Sequence, residues 1–204
     1  MADDRPARHQ PATLLADRYR LLHAVERAGF GHAWRARDES TGRAVEVHDL
    51  ATPRGTVGLG EAVECLKGHA AVKHRALTTT HDAFVHAGGV VVVTALGEGA
   101  PLDAWFEERS RSDAGARLEA VRTVLDQVPQ GFWALHRSGD PPLAHGAFGG
   151  SCVRVDVRGS QAVVRVEAHG WGRVVAPPGW WVCPPRRARR RRPPRTSSRS
   201  GCLP

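Results

Sequence analysis

Residues 89–96 read GVVVVTAL, with four valines in succession at Val90, Val91, Val92 and Val93. In a strand, successive side chains point to opposite faces, so a run without polar members is apolar on both sides of its sheet. A fold that holds it needs a layer against each face. The preceding LTTTHDAFVHAG reads as the other arm of a hairpin. Upstream, the β-like runs YRLLHAV, HAWRARD and RAVEVHDL are separated by ERAGFG and ESTGR, both rich in turn formers, which predicts a three-stranded antiparallel meander over residues 19–49. In its third strand Val45 and Val47 alternate with Glu46 and His48, so the two polar residues share one face and the valines the other. Between meander and hairpin, GEAVECLKGHAAVKH suits a short helix.

GEGAPLDAWFEER reads as a turn followed by a short helix. After it, Leu118, Val121, Val124, Leu125, Val128, Phe132 and Leu135 recur mostly at three- to four-residue steps, which predicts a long buried helix of about five turns. Pro129 falls inside it, where it removes one backbone hydrogen bond and costs roughly 3 kcal/mol unless the helix kinks or breaks. Two short strands follow around the turn RGSQ. Residues 1–17 are polar and expected to be loose, and the Pro/Arg-rich residues 176–204 are expected to be a disordered tail.

At 204 residues and 41% hydrophobic content the chain suffices for one core, or one and part of a second. Its net charge of +8 is local: Arg186, Arg187, Arg189, Arg190, Arg191, Arg192, Arg195 and Arg199 account for all of it, and the other 21 bases balance the 21 acids. A folded nucleic-acid-binding body is therefore not indicated, which leaves the arginine tail as the candidate for RNA or an anionic membrane. A solvated tail without function is the plainer reading, since no aromatic or folded motif accompanies the charge in a balanced body. Cys65, Cys152, Cys183 and Cys202 are widely spaced, and the charged N-terminus has no secretory pattern, so a reducing cytoplasm is expected. No window approaches the roughly 18 apolar residues of a membrane span. Two lysines against 27 arginines suit a GC-rich bacterial genome.

Five strands with one helix between the third and fourth, then helices and a small hairpin, resemble the element order of eukaryotic-type protein kinases. LADRYRLLHAVERAGFGHAWRARDESTGRAVEVHDL is similar to the start of bacterial serine/threonine kinase domains, with a Gly-rich loop and a strand that ends in the catalytic lysine. LGEGAPLDAW looks like the hinge and first large-lobe helix. On this resemblance Thr94 is the gatekeeper, and Ala95, Leu96 and Gly97 line the adenine side. ALHRSG and LAHGAFGGSCVRV look like the long helix leading into the catalytic loop, and VEAHGWGRV stands where the metal-binding Asp-Phe-Gly turn belongs. The resemblance covers residues 14 to about 175. It implies an α+β fold with a five-stranded antiparallel small lobe over residues 18–97 and a partial helical large lobe over 98–175.

The same correspondence shows what is missing. Phosphoryl transfer by a kinase depends on positioning and charge neutralisation by a lysine, a base and two metal ligands. Of the Gly-rich loop only Gly31 is kept, with Gly29 nearby, while Glu26 and Ala28 replace the first two glycines. His48 stands for the lysine, and a mostly neutral imidazole is a poor substitute for a fixed ammonium. Glu61 or Glu64 is the helix glutamate that pairs with the lysine. Ala147 replaces the base aspartate, Gly149 the following lysine and Cys152 the metal-binding asparagine, with His145 and Gly146 retained. Ala168, His169 and Gly170 stand for Asp, Phe and Gly. Glu167 is adjacent, but a shift of one residue turns a side chain to the other face. The resemblance thus implies a degenerate, actinobacterial-like pseudokinase. Such a domain needs no cofactor or metal and binds ATP weakly and without metal if at all. It acts through a protein partner in signalling or cell-envelope synthesis.

The alternatives are a weakly active serine/threonine kinase and a basic-tail binder of nucleic acid or membrane. The loss of the family's later helices at residue 176 predicts exposed apolar surface on the long helix, including Leu118, Leu125 and Leu135. The abrupt change of composition there also suits a shifted reading frame. A zinc site from Cys65, His69 and His74 with His81 or His86 has no compact ligand spacing, and surface histidines are the plainer reading. A hydrolase reading of HGAFGGSC fails because G-x-S-x-G requires glycine at Val153. For His48 the plain expectation is a partly exposed strand residue facing an emptied cleft.

Overall fold

The computed structural model describes residues 9–25, 32–50, 58–111, 114–139, 142–146, 148–158 and 161–173. The Gly-rich segment with Glu26, Ala28, Gly29 and Gly31, the loop residue Ala147 and the arginine tail lie outside the described residues.

The chain is mixed α+β. Its strands are β1 (Leu14–Leu15), β2 (Tyr19–Val25), β3 (His32–Asp38), β4 (Ala44–Leu50), β5 (Thr80–His86), β6 (Gly89–Ala95), β7 (Ala100–Pro101), β8 (Val153–Arg158) and β9 (Gln161–Val166). The helices are α1 (Leu59–Ala70), between β4 and β5, and α2 (Leu102–Ser110) and α3 (Ala114–Arg137), between β7 and β8. A curled antiparallel sheet has the order β1-β2-β3-β4-β6-β5, and a smaller one the order β7-β8-β9.

The valine run acts as its composition requires. Val91 and Val93 join Leu15, Tyr19, Leu21, Trp34, Ala36, Val45 and Val47 in a core on one face of the large sheet. Val90 and Val92 point the other way, into a second core with Leu50, Ala62, Val63, Leu66, Cys152, Ala168 and Trp171. All four valines are fully buried, and each is worth roughly 1.5–3 kcal/mol of transfer free energy.

The sheet has six strands where five were expected. The sixth, β1, lies in the stretch expected to be loose, because Leu15 has an apolar site to fill and is fully buried beside Tyr19. Leu14 and Leu15 pair with Arg20 and Tyr19. His9 is also buried, with Nε2 3.6 Å from an Asp49 carboxylate oxygen. The turn from β3 to β4 is built on Asp38, whose carboxylate accepts from Arg18 Nε and Nη2 at 2.9 and 2.8 Å, and from Ser40 and Thr41. The Arg18 guanidinium, with the hydroxyls, holds the Asp38 carboxyl well below the usual carboxylate range.

The third core holds α2, α3 and the small sheet together through Trp105, Val128, Leu135, Val153, Val155, Val164 and Val166. Gln127 joins α3 to β9 twice: its Nε2 donates to Ala162 O at 2.8 Å and its Oε1 accepts from Val164 N at 2.9 Å. Thr78 N donates to Val166 O, and Val166 N to Ala76 O, so the segment between α1 and β5 is laced to β9. Gly99 has φ +87, and a Cβ there would collide with the Val155 carbonyl.

The long helix is not interrupted at Pro129. It runs 24 residues through Pro129 without ending; Pro129 and Leu125, whose carbonyl loses its donor, face solvent, so water can satisfy that carbonyl. Leu118 and Leu125 are 71 and 65% exposed, as expected, and Val121 is 42% exposed, while Val128 is covered, so the helix is buried only in part and not throughout. β9 and α2 are its main contacts among the described residues. Leu135, expected to lack cover, is fully buried in the third core.

Candidate functional site

Glu46 and His48 lie on the face of β4 opposite Val45 and Val47, as the alternation requires. Across the β4–β6 ladder Glu46 is opposite Thr94, and His48 opposite Val92. This places two ionisable side chains among apolar ones, beneath a layer formed by α1 and by the segment around Cys152 and residues 168–171.

The polar groups satisfy one another. His48 Nε2 is 3.4 Å from Glu46 Oε1 and 3.3 Å from Thr94 Oγ1. Gly97 N donates to Glu46 Oε2 at 3.4 Å. Glu46 is 1% exposed, His48 7% and Thr94 6%. The Trp171 indole covers the His48 ring edge-on, with centroids 4.6 Å apart. His48 is therefore a covered residue in a filled interior, not the partly exposed one expected. A carboxylate this deep is expensive unless paired, and burial selects the partners seen here.

Cys152 is fully buried in the same core, and burial pushes its thiol up to about 11, so it stays a neutral apolar group. Ala168 brings only a methyl group, yet its backbone sits at φ 57, a left-handed conformation that disfavours alanine and that Asp or Asn adopts more readily. Glu167 is turned to Arg154, with Oε1 3.3 Å from Nε, and Arg154 Nη1 in turn donates to Gly99 O at 2.6 Å. Gly149 is extended and precedes a short 3-10 turn over Gly150–Cys152. Glu61 and Glu64 both lie on the exposed side of α1, and Glu64 pairs with Lys67 at 2.9 Å. Neither is the partner of His48, which is Glu46 from its own strand.

The expected gatekeeper Thr94 and the three residues expected on the adenine side separate into two pairs. Thr94 and Gly97 meet the Glu46–His48 pair. Ala95 and Leu96 instead line a cavity of about 330 Å³ with Leu77, Thr79, Glu98 and Arg165.

Three buried histidines lie beneath the site. His145 Nε2 donates to Glu167 O at 2.7 Å, and His169 Nε2 to Thr78 O at 2.9 Å. Burial, reinforced by charge on His69, lowers both rings to about 4, so both are neutral at pH 7. His69 is the opposite case. Its Nδ1 faces Cys65 O at 2.9 Å and its Nε2 faces Ala144 O at 3.0 Å. Both oxygens only accept, so the ring satisfies both as imidazolium. Burial pulls its pKa down, but the bonds to Cys65 and Ala144 outweigh burial and raise it. Gly170, at φ +85, lies against this ring, where a Cβ would come within 2.7 Å of it. Sequence marks His69 only by its one-turn spacing from Cys65, and His145 and His169 only through the resemblance. Cys65 Sγ is 4.0 Å from His69 Nδ1, but among the described residues no three metal-ligating groups come together. Nor is any described helix long and apolar enough to cross a membrane.

No protein-family model matches the chain, and no curated protein matches it. The geometry is therefore the basis for assigning function. At this interior Glu46, His48 and Thr94 satisfy one another, and among the described residues no three metal-ligating groups come together there.

Proposed function

We propose that this chain is a catalytically inactive, protein-kinase-like domain that works as an interaction module, in signalling or at the cell envelope. One observation carries the reading. Three positions where the resemblance demands charge or a metal ligand, His48, Cys152 and Ala168, converge on one interior, and Trp171 packs against it. There they supply an imidazole paired with Glu46, a neutral thiol and a methyl group. Kinase catalysis is mainly electrostatic, so losing these groups together removes most of it, whereas losing one leaves a slow enzyme.

Two further features support the reading. Apart from the two-residue β7, the order of strands and helices from β2 to β9 agrees with the resemblance, with α1 between the third and fourth strands of the meander and hairpin. The left-handed backbone at Ala168 is a geometry that suits the aspartate the resemblance implies at this position. A protein partner is favoured over other partner classes because α3 exposes Leu118, Leu125 and Trp133 on its uncovered side.

A fluorescent ATP analogue titrated into the full chain with and without Mg²⁺ tests the proposal. Absent binding, or weak binding that Mg²⁺ does not change, is the expected result. Tight binding that requires Mg²⁺ would restore the enzyme reading.

A further inference from the structure

Glu46 is the least expected residue of the interior, since the valines around it would be served better by another apolar side chain. Its carboxylate is 1% exposed and reaches across the ladder to the chain just beyond β6, where Gly97 N donates to Oε2 at 3.4 Å. Its other oxygen faces His48, and His48 reaches Thr94. A main-chain N–H directed inward beside Thr94 is the kind of donor that a heteroaromatic base recognises through a ring nitrogen. Here the chain's own carboxylate meets that donor.

We infer that Glu46 is a built-in occupant of the base position: its carboxylate takes the Gly97 N–H that the edge of an adenine would use and closes the wild-type chain to adenosine. The inference rests on the kinase-like reading of the interior, and it replaces weak nucleotide binding with exclusion. Two devices act together. Glu46 holds the donor, while Trp171 fills the space against His48 where the remainder of a nucleotide would lie.

The test uses adenosine, which has no phosphates and so reports on the base position independently of metal or lysine. The full chain is titrated calorimetrically as wild type, E46A and E46Q, with melting curves to show that each is folded. Wild type is expected to give no binding. E46A leaves the Gly97 N–H without its acceptor and should gain adenosine affinity by roughly tenfold or more over wild type. E46Q keeps an acceptor of the same shape and should stay closed. Wild-type affinity equal to that of E46A overturns the inference, as does a folded E46A that binds no adenosine. An E46Q that opens as far as E46A also overturns it, because charge rather than occupancy would then be the barrier. If E46A does not fold, E46V, which suits a strand, takes its place with the same two outcomes. Mg²⁺-dependent ATP binding with phosphate transfer by wild type is a separate result that would remove the underlying reading itself.

Discussion

The Trp171 indole stands edge-on to the His48 imidazole, 4.6 Å between centroids, and closes the interior on the side away from β4 and β6. Trp171 is 3% exposed and packs with Leu50, Val63, Leu66 and Val92. Replacing it with alanine should destabilise the chain by about 3–5 kcal/mol, the range for emptying a buried aromatic site. Urea unfolding followed by far-UV circular dichroism measures this. A loss below about 1 kcal/mol would mean that Trp171 does not seal the interior.

The histidines make stability depend on pH in two directions. His145 and His169 have folded values near 4 against about 6.5 unfolded, so their contribution is present above pH 6.5 and is lost as pH falls from 6.5 towards 4. Each is worth about 2–4 kcal/mol over that window. His69, whose folded value is raised, contributes fully below pH 6.5, and its share is lost as pH rises through that folded value. Melting temperature should therefore drop steeply between pH 6.5 and 4.5, and His169→Leu should remove part of that drop. A melting temperature constant over the same range contradicts the neutral assignment of both rings.

Asp38 anchors the β3–β4 turn through Arg18, Ser40 and Thr41. Asp38→Ala should cost about 2–4 kcal/mol, since it removes charge-assisted bonds and strands their donors. Because the folded Asp38 value is depressed, its contribution is present above about pH 4 and disappears as pH falls further. Chemical unfolding of the variant at pH 7 measures the cost, and a value under 0.5 kcal/mol, roughly that of an ordinary surface change, would show that the turn holds without it.

On α3 the expectation is the reverse. Leu118 and Leu125 are exposed, so Leu118→Glu and Leu125→Glu should each change stability by no more than about 0.5 kcal/mol. Solubility should rise as the apolar face shrinks. A loss of 2 kcal/mol or more on either substitution would show that some part of the chain covers this face.

Much of this fold is legible in the sequence, for identifiable reasons. Alternation in β4 fixed the shared face of Glu46 and His48, and the valine run fixed the two-sided burial of β6. Turn residues marked the gaps between strands. What stayed hidden depends on contacts distant in sequence. Nothing local distinguishes Leu15, which pairs in a two-residue strand, from a leucine in a loose leader. Periodicity identified the α3 stripe but not how much of it would be covered, since that is decided by which elements lie opposite. The pattern put His48 on one face with Glu46 but left it partly exposed; that this face is interior and covered by Trp171, 123 positions later, needed the fold. His69 is similar, because one carbonyl that settles its charge belongs to Ala144, 75 residues away.

On the proposed reading, the charged groups of phosphoryl transfer are absent together from the interior around His48, Cys152 and Ala168. Incubating the full chain with Mg²⁺, γ-labelled ATP and a generic serine/threonine substrate tests it most directly, with label on the substrate and on the chain itself as readouts. No transfer above the protein-free control is the predicted result. Label transferred in proportion to the chain's concentration, and lost on substitution of His48, would contradict it.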